Sequence, residues 1–347
     1  MTPSRFPLHR IALAAALAGG LTLTACGGGG ADPATPTTGA SSTSQADATA
    51  DAANATFTGA DAAAALDTVL DTNTLLAQAA AAPAAASGRA HAESTGRDTA
   101  AAAGSGVASL TVDCAGGGTA TLSITGGTAG SETNGQLDAG EHYAVTYAQC
   151  TGQAGRAQLT GSVTMDVTSA DHASTPSSVA VTVTATHLAL ALAAGTVTLD
   201  GSASLSRSVA TSGGTTTTTS HVSVPGATLA TAFNARSSTF TLSDLDATRV
   251  VSTVAGATTA SRYTGHHTLS GAANGRSFSM TVATSGDIDY DATGALVSGA
   301  WTVVRPHATI ATTVANGTVV MTVDDGNDGT IDHTWTFPAA TLLAAAG

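Results

Sequence analysis

The chemistry-bearing residues of this 347-residue chain are few: three cysteines, ten histidines, and 24 acidic residues against 11 basic ones. Every basic residue is arginine, which excludes chemistry that needs a lysine amine: Schiff bases, Ser–Lys pairs and phosphate-binding P-loops. Two acidic loops offer oxygen ligands. "GSETNGQLDAGE" places Glu132, Asn134, Asp138 and Glu141 where calcium-loop ligands fall, with Gly135 at the turn, although Gly130 occupies the first ligand position. "DDGNDGTID" supplies Asp324, Asp328 and Asp332 around Gly329, with Gly326 where a further carboxylate would help. Calcium is the cofactor such loops would hold. The same residues also build hairpin turns without any metal, so both readings stay open. His266 and His267 are adjacent in an extended run and therefore face opposite ways; His187, His221 and His333 are isolated. No HExxH, GxSxG or free-cysteine dyad occurs, so catalysis is not expected, with an unrecognised hydrolase as the residual reading.

The N-terminus addresses place rather than chemistry. Arg5 and Arg10 precede the apolar run "IALAAALAGGLTL", which is too short and glycine-interrupted to span a bilayer comfortably. The run ends in Leu23-Thr24-Ala25-Cys26, which resembles the bacterial lipobox. That resemblance implies a signal peptide over 1–25, cleavage before Cys26, and acyl chains such as palmitate on that cysteine. By resemblance to lipoprotein sorting, the non-acidic Gly27 implies an outer-membrane destination, lipid-anchored and facing either the periplasm or the surface. Several acyl chains hold a protein on a bilayer stably, where one is marginal. Residues 26–58 are rich in Gly, Ser, Thr, Ala and Asp without periodicity and predict a flexible, disordered tether. Residues 59–106 comprise an Ala-rich helix at about 60–82, capped by Thr58 and stopped by Pro83, and then a linker.

From 107 to 347 the pattern is strand after strand, punctuated by short Gly- and Asn-bearing turns. The connections are too short for parallel crossovers. The expected fold is all-β: a long antiparallel meander curling into a curved sheet, sandwich or partial barrel. Apolar residues make up 43% of the chain but aromatics only 3%, so the core must consist of many small contacts. Aromatic girdles for a membrane-spanning barrel are missing. With Cys26 lipidated, Cys114 and Cys150 remain as an even pair in an exported compartment. They face each other across the hairpin of "TATLSI" and "HYAVTY", and a disulfide follows. In "HLALALAAG", Leu and Ala on both faces of one strand imply burial on both sides.

"DCAGGGTATLSI", "TNGQLDAGEHYAVTYAQC" and "ANGTVVMTVDDGNDGTIDHTWTF" together resemble a group of uncharacterised proteobacterial lipoproteins with a cysteine-bracketed hairpin and a closing acidic-glycine, Trp-bearing segment. The resemblance implies a β-rich envelope lipoprotein and no particular activity. With a formal charge of −13 and no basic cluster, nucleic acid is not an expected partner. The membrane is one, through the N-terminal lipid. The domain is expected to be structural or to bind a protein; the alternative is a periplasmic carrier of an apolar ligand such as a lipid. Replacing Cys26 by Ser moves the protein from the membrane pellet to the soluble envelope fraction; continued sedimentation with membranes would refute lipid anchoring.

Overall fold

The computed structural model describes residues 43–49, 52, 108–114, 116–128, 131, 136–151, 157–233, 236–273 and 276–345. Cys26 and the helix expected at 60–82 lie outside them. Fifteen strands follow in order: β1 (Ala108–Asp113), β2 (Thr119–Gly126), β3 (Glu141–Thr151), β4 (Ala157–Asp171), β5 (Ser177–Leu192), β6 (Gly195–Ser212), β7 (Thr215–Phe233), β8 (Arg236–Val254), β9 (Ala257–Ala273), β10 (Arg276–Thr284), β11 (Ile288–Asp291), β12 (Leu296–Arg305), β13 (Ala308–Ala315), β14 (Thr318–Asp325) and β15 (His333–Pro338). A short helix, Ala339–Ala345, closes the chain.

All strands belong to one antiparallel sheet in which sequence neighbours pair, except that β11 lies beside β9 and β12, and β10 pairs directly with β12. This is the meander expected from the sequence. Among the described residues no ladder joins β1 to β15, so the sheet has two edges. Tight turns set the register. At Gly213-Gly214 and Asn316-Gly317 both central residues have positive φ, the turn geometry whose twist matches that of paired strands. The strands β5–β9 run to 16–19 residues, on the order of 50–60 Å.

Side chains alternate across the sheet, and only one face is closed. Ile124 of β2, Val181 of β5, Val222 of β7, Trp301 of β12, Met321 of β14 and Leu342 of the C-terminal helix belong to one continuous cluster on this inner face. The outer face of the long strands carries mostly Ser and Thr, as in Thr217 and Thr219 of β7 and Thr241 and Ser243 of β8.

Two features depart from the sequence reading. Part of the segment expected to be a flexible tether is docked. Residues 45–49 are helical, and Ala48 and Ala52 are completely buried in the sheet's core. Ser44 caps this turn: its Oγ accepts from the N–H of Asp47 at 3.2 Å and donates to the Asp47 carboxylate at 2.7 Å. The indole Nε1–H of Trp301 donates to the carbonyl of Ala52 at 3.1 Å, and the N–H of Thr43 donates to the Asp325 carboxylate at 3.0 Å. Secondly, "HLALALAAG" is not buried on both sides. Leu188 is buried, Leu190, Ala189 and Ala191 are half-buried, and Leu192 is exposed.

The Cys114–Cys150 disulfide is present, with Cα atoms 5.3 Å apart. It ties the β1–β2 turn to the end of β3 past the intervening β2. Two backbone bonds, Gly116 N–H to Thr151 O and Thr151 N–H to Gly117 O, each 2.8 Å, run beside it.

Replacing Trp301 by Phe keeps most of the ring's area but removes the hydrogen bond to the Ala52 carbonyl. The expected cost is about 1–3 kcal/mol in urea denaturation, with faster proteolysis at residues 43–52. Unchanged stability and cleavage would show that the N-terminal segment is not held through this bond.

Candidate apolar binding face

The inner face of the long strands can be read as rows running across the sheet, because the register places specific residues side by side. One row joins Leu188, Leu199, Leu229, Phe240, Gly271 and Phe278 on β5 to β10. Every member is apolar. The gap at Gly271 is filled from the side. A Cβ there would lie 3.0 Å from the Phe278 ring and 2.2 Å from the Thr239 carbonyl, and the Phe240 and Phe278 rings meet at 5.7 Å.

The next row towards the core is Ala185, Gly201, Ala227, Leu242, Leu269 and Met280. Its β5–β7 half is built of small residues, its β8–β10 half of large ones. Leu199, Leu229, Leu242, Phe278 and Met280 are half-buried, whereas the core beyond is closed. The result is a half-open apolar patch, whose Leu188 end packs with Cys114, Ala120 and Tyr147 in a second, smaller buried cluster.

A line of β-bulges coincides with this patch. Register shifts fall at Tyr147/Cys150, Ala185/Leu188, Ser202/Ser204 and Ser243/Asp246, and Gln149, His187 and Asp244 take positive φ there. Pro225, which cannot donate to a ladder, stands in β7 opposite the Ser202/Ser204 shift, where no donor is required. Bulges bend strands and increase twist, so this line creases the sheet between the closed core and the extended half.

One polar side chain lies in the rows beside the patch. His267 of β9 is 1% exposed, pairs in register with Val282, and precedes Leu269 on the same face. Neither ring nitrogen has a hydrogen-bond partner. Burial pushes its pKa down to about 4, with neighbouring His266 a smaller cause, so the imidazole is neutral near pH 7. The sequence reading put His266 and His267 on opposite faces but did not single out His267. Its strand parity with Leu269 was the available signal. Two rows nearer the other end, beyond Leu205, Val222, Ala247 and Gly265, Arg207, Ser220, Arg249 and Tyr263 also share the inner face, and this polar band was missed altogether.

The remaining titratable groups stand apart. His142–Asp166 at 2.6 Å, His221–Asp246 at 3.2 Å and His333–Asp325 at 3.4 Å are separate pairs on partly exposed side chains, and such pairs stabilise little. In the second acidic loop the carboxylates are engaged by backbone N–H groups. Asp324 accepts from the N–H groups of Asp328 and Gly329 at 3.1 and 2.9 Å, Asp328 from Thr330 at 2.8 Å, and Asp332 from Asp325 at 2.7 Å. Each carboxylate thus organises the β14–β15 turn. In the first loop, Glu132 and Asn134 lie outside the described residues. Glu141 is buried and accepts from the Asp138 N–H at 2.9 Å and the Tyr143 hydroxyl at 2.7 Å. Burial, reinforced by Glu141, raises the pKa of Tyr143 and keeps it a donor. Among the described residues no three His, Cys, Asp or Glu side chains are grouped to hold a metal ion, and no helix there is long and apolar enough to cross a membrane.

No protein-family model matches the chain, and no curated protein sequence or solved structure matches it significantly.

The buried His267 makes stability depend on pH. Its folded pKa of about 4 lies below the unfolded 6.5, so the unfolded chain takes up this proton first and stability falls as pH drops from about 6.5 towards 4. Between pH 7 and pH 5 the expected loss from this group is about 2 kcal/mol, absent in His267→Leu. Equal acid sensitivity of the two proteins in urea denaturation would contradict a buried neutral imidazole.

Proposed function

We propose that this protein is a lipid-anchored, non-catalytic binding protein of the bacterial outer membrane, which carries an apolar ligand on the inner face of its sheet. The carrying observation is the apolar row Leu188–Leu199–Leu229–Phe240–Gly271–Phe278, in which Leu199, Leu229 and Phe278 are only half-buried. Apolar area left partly open beside a closed core gains about 25 cal/mol per Å² when a ligand covers it. A face that is mostly apolar and sparing in polar groups suits a small apolar ligand. The lipobox-like Leu23–Cys26 stretch supports anchoring, and the β-rich lipoprotein resemblance agrees with it.

Titration with N-phenyl-1-naphthylamine, a dye that brightens in apolar surroundings, tests the reading. The full-length protein should enhance its fluorescence saturably, and Leu229→Asp should weaken binding at least about tenfold by placing a charge on the row. No enhancement by the parent protein, or none lost in the variant, would overturn the carrier reading and leave a structural domain.

A further inference from the structure

The two orphaned ring nitrogens of His267 narrow the ligand. Buried polar atoms are nearly always hydrogen-bonded, and an unpartnered one is costly. Here neither nitrogen is satisfied: the in-register neighbour is Val282, and Val183, Ala203, Val224 and Leu245 continue the inner face across the bulges. Towards the patch the next inward residue on the strand is Leu269; towards the core it is Gly265, whose N–H already donates to the Thr284 hydroxyl at 3.0 Å.

We infer that His267 is a ligand-recognition residue, and that the ligand is a long alkyl chain bearing an uncharged hydroxyl group, hydrogen-bonded to its imidazole. This rests on the apolar-carrier reading above and specifies its ligand. A neutral imidazole presents one N–H donor and one bare nitrogen, and a hydroxyl can satisfy either. A carboxylate is disfavoured, because neither apolar row nor the His267 row carries a cation to offset its desolvation. A plain hydrocarbon would leave the imidazole unsatisfied. Six strands at 4.7–4.9 Å give the rows a span of about 24 Å, long enough for an extended alkyl chain. Its alkyl part covers Leu199, Leu229 and Leu242, and the buried Leu269 side chain moves aside on binding so that the hydroxyl reaches His267, sealed in the free protein.

The test measures displacement of N-phenyl-1-naphthylamine from the full-length protein by 1-dodecanol and by 1-chlorododecane, which matches in chain length but makes no comparable hydrogen bond. The alcohol should displace the dye at about tenfold lower concentration. In His267→Leu the two compounds should be equipotent, while His267→Gln, which keeps a donor and an acceptor, should retain much of the preference. Equal potency with the parent protein, or a preference surviving in His267→Leu, would overturn the assignment while leaving the carrier reading intact. If the dye itself fails to bind the parent protein, both fall together. The comparison on the parent protein decides the matter even where a variant folds poorly.

Discussion

The hydrogen bond from Trp301 to the carbonyl of Ala52 marks the constraint on which this structure depends. A single sheet has two faces, and it can close one only if something covers it. The inner faces of β12–β14 hold Trp301, Val303, Ile310, Met321 and Val323, all essentially without solvent contact. Ala48 and Ala52 pack in that same cluster, and their small side chains let the helical turn approach closely. The indole fills most of the volume there and carries one donor, which a buried site obliges it to satisfy. The Ala52 carbonyl does so, and Asp325 holds the start of the segment through Thr43. Asp325 is stabilised as a carboxylate by the same contact, its pKa lowered chiefly by the Thr43 hydroxyl.

The long strands pose the opposite problem. Strands of up to 19 residues reach well past any core that small residues can fill, and their far ends are left half open. Bulges crease the sheet where the closed and open halves meet, and the small residues Ala185, Gly201 and Ala227 lie along the crease. Large apolar side chains resume on its far side. The same strand alternation that puts Ser and Thr outward thus produces both a sealed core and an unfilled apolar surface, and it places His267 between them.

Much of the β architecture was legible because it rests on local rules. Valine- and threonine-rich runs between Gly and Asn turns specify hairpins, and hairpins in succession specify a meander. The Cys114–Cys150 bond followed from hairpin register and an even pair of thiols. The Ser44…Asp47 spacing was a legible cap, but the glycine- and serine-rich surroundings spoke more loudly for a tether. The acidic loops stayed open to two readings for a related reason. Asp and Gly serve turns and cations equally well, and the hydrogen bonds of Asp324, Asp328 and Asp332 show the turn use in the second loop.

By itself, then, the sequence determined the class of fold, the antiparallel order of its strands and the covalent link between Cys114 and Cys150, because each depends on near neighbours or on residue type. Tertiary structure alone decided which face is closed and where the sheet is creased, and it decided that a stretch near residue 48 belongs to the core. It also decided that His267 is sealed among apolar neighbours while His266 is not. Those outcomes depend on register accumulated across six or more strands. A single bulge resets which side chains point inward, and no local pattern in the chain announces where each bulge will fall.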